Sequence, residues 1–90
     1  MHFEWDAEKA LRNEQKHGVS FNEARTVFQD ENSITIPDPA HSIEEDRFID
    51  IGYSDRGRLL VVMYTERVGR IRIISSRKAT AAERQTYEQE

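Results

Sequence analysis

Residues 47–78 read RFIDIGYSDRGRLLVVMYTERVGRIRIISSRK, and this run decides the fold. Its first part, Arg47 to Ser54, alternates Ile49, Ile51 and Tyr53 against Asp50 and Ser54. That two-residue period is the mark of a strand with one buried face. Ser54-Asp55-Arg56-Gly57 then reads as a turn, with glycine where a positive φ is wanted. Arg58 to Glu66 is apolar on both faces at its centre, which predicts a strand flanked on both sides. Arg67-Val68-Gly69 turns the chain again, and Arg70 to Ser76 resumes the alternation. Strands joined by turns this short pair antiparallel.

Outward from this run the elements are equally legible. Upstream, Ile34 and Ile36 alternate until Pro37-Asp38-Pro39 stops them, and Asp38 to Asp46 reads as a loop. Earlier still, Phe21, Ala24, Val27 and Phe28 recur at helical spacing behind Ser20-Phe21-Asn22-Glu23, a capping-box pattern, in a helix expected to end near Gln29 or Asp30. Ala7 to His17 is a helix former with Asp6 as N-cap and Gly18 as its left-handed stop. Its thin apolar stripe of Ala7, Ala10 and Leu11 predicts a surface helix. His2 to Trp5 is a short strand. Downstream, Thr80-Ala81-Ala82-Glu83 is a second capping box, opening a helix that runs toward Tyr87. The sum is an α+β fold: a single antiparallel sheet, made of a four-strand meander plus a short N-terminal strand, with two N-terminal helices and one C-terminal helix. Residues 1–90 form one domain, since so short a chain rarely supports two cores.

The net charge of −4 hides an internal split. Residues 56–78 hold Arg56, Arg58, Arg67, Arg70, Arg72, Arg77 and Lys78 against the single acid Glu66, whereas residues 1–55 carry thirteen acids and five bases. Arginine grips phosphate bidentately and stays charged at any biological pH, so the cluster points to an anion, with nucleic acid the leading ligand. Arg70 and Arg72 project opposite Ile71 and Ile73. If the alternation persists, Arg77 falls on the side of those isoleucines, and Arg67 lies in the hairpin turn. Taken singly, strand arginines also serve to solvate an open sheet face and pair with carboxylates.

Other classes are narrowed by what the sequence lacks. There is no cysteine, which removes disulfides and thiolate metal sites and fits a reducing compartment. His2, His17 and His41 have no metal-ligand spacing, and neither a P-loop nor a nucleophile elbow appears, so no metal or cofactor is expected. The longest apolar run, Leu59 to Tyr64, is too short to span a membrane, and the polar N-terminus has no signal-peptide core. A cytoplasmic protein is the expectation. Lys16 and His17 close the first helix. Cations there are stabilised by the helix dipole, and histidine is also suited to proton transfer near neutrality. Glu83 has a structural role as capping-box residue, and Tyr87 is placed to pack on the sheet.

These blocks together resemble the BrnT family of type II toxin–antitoxin toxins. The resemblance runs through Phe3-Glu4-Trp5-Asp6 with Lys9 and Asn13, then Lys16-His17-Gly18-Val19-Ser20-Phe21 with Glu23 and Ala24. It continues in Ile51-Gly52-Tyr53-Ser54, Tyr64-Thr65-Glu66-Arg67, and Arg72 to Ala79 with Glu83, Arg84 and Tyr87. It implies a RelE-like fold and a metal-independent ribonuclease that inhibits translation. It also implies a BrnA-type ribbon-helix-helix antitoxin as partner, through which the complex represses its own promoter on operator DNA.

Such cleavage lets a ribose 2′-OH attack the adjacent phosphorus, and requires a base, an acid and fixed positive charge. Arg67 and Arg77 are the candidates for the charge, His17 or Lys16 for the protons, with Tyr87 behind them. Arg70, Arg72 and Lys78 are candidates for RNA binding. The other readings of the same arginines are a non-catalytic module docking an antitoxin or DNA-binding partner within a repressor, and a nuclease that acts only on the ribosome.

Overall fold

The central strand of the sheet is buried on both sides because Leu60, Val62 and Tyr64 point to one face while Leu59 and Val61 point to the other. The computed structural model describes residues 1–38, 40 and 46–89. The loop expected over Asp38–Asp46, with His41 in it, falls mostly outside them. The elements run β1 (His2–Glu4), α1 (Ala7–His17), α2 (Phe21–Ala24) and a 3-10 turn (Arg25–Gln29). There follow β2 (Ile34–Pro37), β3 (Arg47–Tyr53), β4 (Leu59–Arg67), β5 (Arg70–Lys78) and α3 (Ala81–Glu88). The five strands form one sheet in the order β1-β5-β4-β3-β2.

The meander is as expected: β2, β3, β4 and β5 pair antiparallel in sequence. The sheet as a whole is mixed, because β1 pairs parallel with β5, His2 to Arg70 through Glu4 to Arg72. The antiparallel rule binds only strands joined by tight turns. β1 is joined to nothing beside it, and its direction is set by the helices that follow.

One face of the sheet is covered by α1 and α2. There Val19, Phe21, Ala24 and Val27 pack on Leu60, Val62, Tyr64, Ile71 and Ile73, with Phe3, Trp5, Phe28 and Phe48 at the margin. The second face carries a smaller cluster, Ile51, Leu59 and Val61, against which Tyr53, Met63 and Tyr87 pack. Gly52 sets the fit of the first layer. A Cβ there would stand 2.9 Å from Val27 Cγ1 and 3.0 Å from Ser33 Cβ, so only glycine admits the helical segment this closely.

Four local expectations are corrected. The second helix turns 3-10 at Arg25, where the Thr26 hydroxyl donates to the Glu23 carbonyl at 2.6 Å and competes for the α-helical acceptor. The Ser20 cap is one-sided: its hydroxyl accepts from Glu23 N at 3.0 Å, but the Glu23 carboxylate is drawn away to Ser54 and Arg58. In α1, Ala7 and Leu11 point outward, Leu11 being 58% exposed, and the buried residue is Asn13. Finally, a bulge near Met63/Tyr64 sets Met63 opposite Ser75 but Tyr64 opposite Ile73. The alternation of β5 therefore slips at Ile74, a bulge's extra residue shifting the two-residue period. Arg77 lands opposite Val61, on the α3 face, and not on the side of Ile71 and Ile73.

Candidate functional site

The antiparallel meander sorts the arginines by place in the strand rather than by place in the sequence. Arg67 pairs with Arg70 at the β4–β5 hairpin, while Arg77 pairs with Val61 six residues back along β4. At strand rise this separates Arg67 from Arg77 by about 20 Å, too far to grip one phosphate together. Arg67 is the last residue of β4, and the turn itself is Val68-Gly69, both at positive φ (50° and 77°). The sheet thus has a hairpin end, with Arg67, Arg70 and Arg72, and a turn end. Arg56, Arg58, Arg77 and Lys78 lie at the turn end, where β3 passes into β4.

Lys16 and His17 are brought to the turn end. Asn13 is the reason: its amide nitrogen donates to Ser76 O at 2.8 Å and Val19 O at 3.0 Å, and its oxygen accepts from Ser76 N at 3.1 Å. The side chain takes the place of a neighbouring strand where β1 has ended, leaving none of its hydrogen-bonding ends wasted in the interior. His17 stands one helical turn beyond Asn13 on the same stripe and is half-buried. The next residue, Gly18, has its carbonyl bonded by Arg58 Nη2 at 3.1 Å. Two anchors therefore fix the last turn of α1 beside the C-terminal end of β5. Lys16 and Lys78 are exposed, and neither they nor His17 are paired with an acid among the described residues.

The two arginines nearest them are clasped. Arg58 forms a double contact with Glu23, whose side chain is only 4% exposed and which also accepts from Ser54 Oγ at 2.7 Å. The Arg58 guanidinium holds the Glu23 carboxyl below its ordinary range, against the opposing effect of burial. Arg77 is bidentate to Glu83 at 2.7 and 2.8 Å and touches Lys78 O at 3.3 Å. Glu83 closes the Thr80 capping box as well, accepting from Thr80 N at 2.8 Å. Arg77, ahead of that cap, lowers the Glu83 carboxyl to about 2.

Tyr87 lies one turn further along α3 and does not share the Arg77 contact. Its hydroxyl donates to Asp30 Oδ2 at 2.7 Å, and its ring meets Tyr53 edge-on at 5.4 Å. Burial, aided by the Asp30 carboxylate, pushes the phenol up to about 12. It keeps its proton at neutral pH and works as the fastener of α3. At the hairpin end, Arg70 and Arg72 share one acid, Glu4, at 3.4 and 3.1 Å. Among the described residues, no three histidine or acidic side chains come together as a metal site.

Reasoning from sequence missed Asn13 and the Glu23–Arg58 clasp. The signal for Asn13 was present: a polar residue in helical register with Ala10 and His17, on the stripe that the fold turns inward. Nothing in the spacing could have paired Glu23 with a residue thirty-five positions on.

A fold of this class is known from a solved structure. The chain superposes on the 1.1 Å crystal structure of the Brucella abortus ribonuclease toxin, BrnT, with a TM-score of 0.71 and 24% identity, over 89% of this chain and 97% of that one. No protein of curated function matches it in sequence. The sequence model of one family, described as the ribonuclease toxin BrnT of a type II toxin–antitoxin system, matches residues 5–83. The chain belongs to the BrnT family, whose members are ribonuclease toxins with an antitoxin as partner. No helix among the described residues is long and apolar enough to cross a membrane.

Proposed function

We propose that this chain is a metal-independent endoribonuclease that cuts single-stranded RNA at the turn end of its sheet. The observation that carries the proposal is the Asn13 bridge, which fixes Lys16 and His17 against the strand that ends in Arg77 and Lys78. A proton-transfer group and fixed cations on two rigid elements are what attack by a ribose 2′-OH requires. The 2′-oxygen bonds to phosphorus as its proton passes to the base, and the bond from phosphorus to the 5′-oxygen breaks as that oxygen takes a proton. The products are a 2′,3′-cyclic phosphate and a 5′-OH. His17 serves as the proton carrier, with Lys16 beside it. Lys78, which pairs with Leu60 on the face that α1 covers, stabilises the charge on the pentacoordinate phosphorus, and Arg77 adds its charge from the opposite face at the end of β5. The contacts with Glu83 and Lys78 O occupy three of the five donors of Arg77, which leaves two.

Arg67, Arg70 and Arg72 form a second patch, whose place at the hairpin end suits backbone binding rather than the reacting phosphate. The antitoxin is a ribbon-helix-helix protein that covers the site, and the complex represses its own operon. The test is incubation of the antitoxin-free chain with a defined RNA in EDTA, beside a Lys16→Ala/His17→Ala variant checked for folding. Cyclic-phosphate ends from the wild type alone support the reading. Cutting that requires added magnesium, or equal cutting by both proteins, overturns it.

A further inference from the structure

We infer that the crevice between α2 and the β3–β4 turn is a second phosphate subsite for single-stranded RNA, gripped by Arg25 and Arg56. The crevice has a volume of about 230 Å³ and is walled by Ser20, Asn22, Thr26 and Asp55 together with the two arginines. Both arginine side chains are exposed, so they keep their hydration and rotamer freedom until a ligand arrives. Among the described residues Arg25 meets only Asn22 Oδ1 at 3.5 Å, the far limit of a hydrogen bond, and the Arg56 side chain has no ion-pair partner, its charge acting on Glu23 only at a distance.

The acids of the wall do not cancel this charge. Glu23 also lines the crevice, but Arg58 neutralises it from behind. Asp55 is left as one negative charge against two positive ones. Its backbone N–H donates to the Thr26 hydroxyl at 2.9 Å, which fixes the turn on α2 and with it the position of Arg56 next to Arg25. The floor is rigid: Thr26 and Ser54 are both buried, and Ser54 Oγ bonds the Arg56 backbone N–H at 3.2 Å. Two exposed guanidinium groups over a buried polar floor suit the planar, bidentate recognition of a phosphodiester.

The place of the crevice ties it to RNA. Arg58, two residues beyond Arg56, bonds the Gly18 carbonyl next to His17, so the crevice and the proposed reacting centre share the turn end of the sheet. A strand bound at Lys78 and His17 passes over the β3–β4 turn with a flanking phosphate above Arg25 and Arg56. This extension rests on the ribonuclease reading, but its test reads binding separately from cleavage.

The experiment uses a 2′-O-methyl RNA strand, which lacks the attacking hydroxyl, and follows its binding by fluorescence anisotropy over a salt series. The wild type is compared with an Arg25→Gln/Arg56→Gln variant whose thermal midpoint is matched. Loss of a phosphate contact lowers the slope of log affinity against log salt by about 0.7, and affinity itself falls about three- to tenfold. With a cleavable strand, KM for a long substrate rises by the same factor, while kcat on a dinucleoside monophosphate is unchanged. If the wild type never cuts RNA and the variant still shows the shallower slope, the subsite stands and the ribonuclease reading falls. If the wild type cuts RNA but both proteins bind with one slope, the subsite falls and the ribonuclease reading stands. Failure of the wild type to bind the strand at low salt also overturns the subsite.

Discussion

At the hairpin end of the sheet, Arg67, Arg70 and Arg72 stand along one face, and two of them share the single carboxylate of Glu4. At the turn end, each structural arginine has a carboxylate of its own, Glu23 for Arg58 and Glu83 for Arg77. Lys16, His17 and Lys78 are left there without an acid partner among the described residues. The first arrangement is the looser one: Arg70 is 64% exposed and reaches Glu4 only at 3.4 Å, where an ion pair contributes little because water screens it. The second is built: two buried or half-buried clasps and an asparagine bridge hold the elements that carry Lys16, His17 and Lys78. Two arginine-rich ends of one sheet therefore produce surfaces of different character. What separates them is whether each guanidinium has a carboxylate to itself or must share one.

The largest expected effect breaks this contrast at the level of catalysis. Lys16→Ala/His17→Ala lowers the rate of RNA cleavage by about 10²–10³ with folding intact, as loss of preorganised groups does elsewhere. Arg67→Ala on the same assay lowers substrate affinity and leaves kcat near wild type. A kcat loss for Arg67→Ala equal to that of the double variant would place the reacting phosphate at the hairpin end.

Stability separates the ends next. Arg58→Ala strands the Glu23 carboxylate in a site where it is 4% exposed, and costs about 2–4 kcal/mol in urea unfolding. Arg72→Ala costs less, because the half-buried Glu4 keeps Arg70 as a second partner. Equal losses would mean that the two ends are equally built.

Acid sharpens the difference further. Glu83 has a folded pKa of about 2, depressed from 4.5, so on acidification the unfolded chain takes up the proton first. Its contribution is complete above about pH 5 and is lost as pH falls toward 2. Glu83→Gln therefore loses on the order of 1–2 kcal/mol at pH 7, and its stability falls less between pH 5 and pH 2 than that of the wild type. Chemical denaturation at each pH checks this, and parallel acid profiles for the two proteins would refute it.

The smallest effect lies at the hairpin tip. Val68 is fully exposed at φ 50°, a conformation that a β-branched residue adopts at a cost. Val68→Asn raises stability by about 0.5–1 kcal/mol without changing cleavage, since asparagine accepts the left-handed turn. A loss of cleavage on this substitution would give the hairpin end a part in the reaction.

The meander, the helices and their caps were legible from residues 47–78 and the segments beside them, because alternation, turn glycines and capping residues are local. Asp6, Gly18 and the Thr80–Glu83 box act where the pattern places them. Ser20 to Glu23 shows the limit: the same pattern forms only half a box, since Arg58, distant in sequence, offers the carboxylate a stronger partner. The candidate site was legible in its residue types and not in its grouping. Arg67 and Arg77 read as a pair and stand at opposite ends, while Lys16 and His17, read as proton carriers, and Lys78, read as an RNA-binding residue, lie at one end.

By itself, then, the sequence determined the elements, the meander and an arginine-rich quarter in an acidic chain, all consequences of short-range periodicity and covalent order. Tertiary structure alone decided the parallel pairing of β1, the slip at Ile74 that puts Arg77 on the α3 face, and the Asn13 bridge that brings His17 to β5. Each of these depends on groups far apart in the chain competing for the same hydrogen bonds or the same volume, and only the folded packing ranks those competitors.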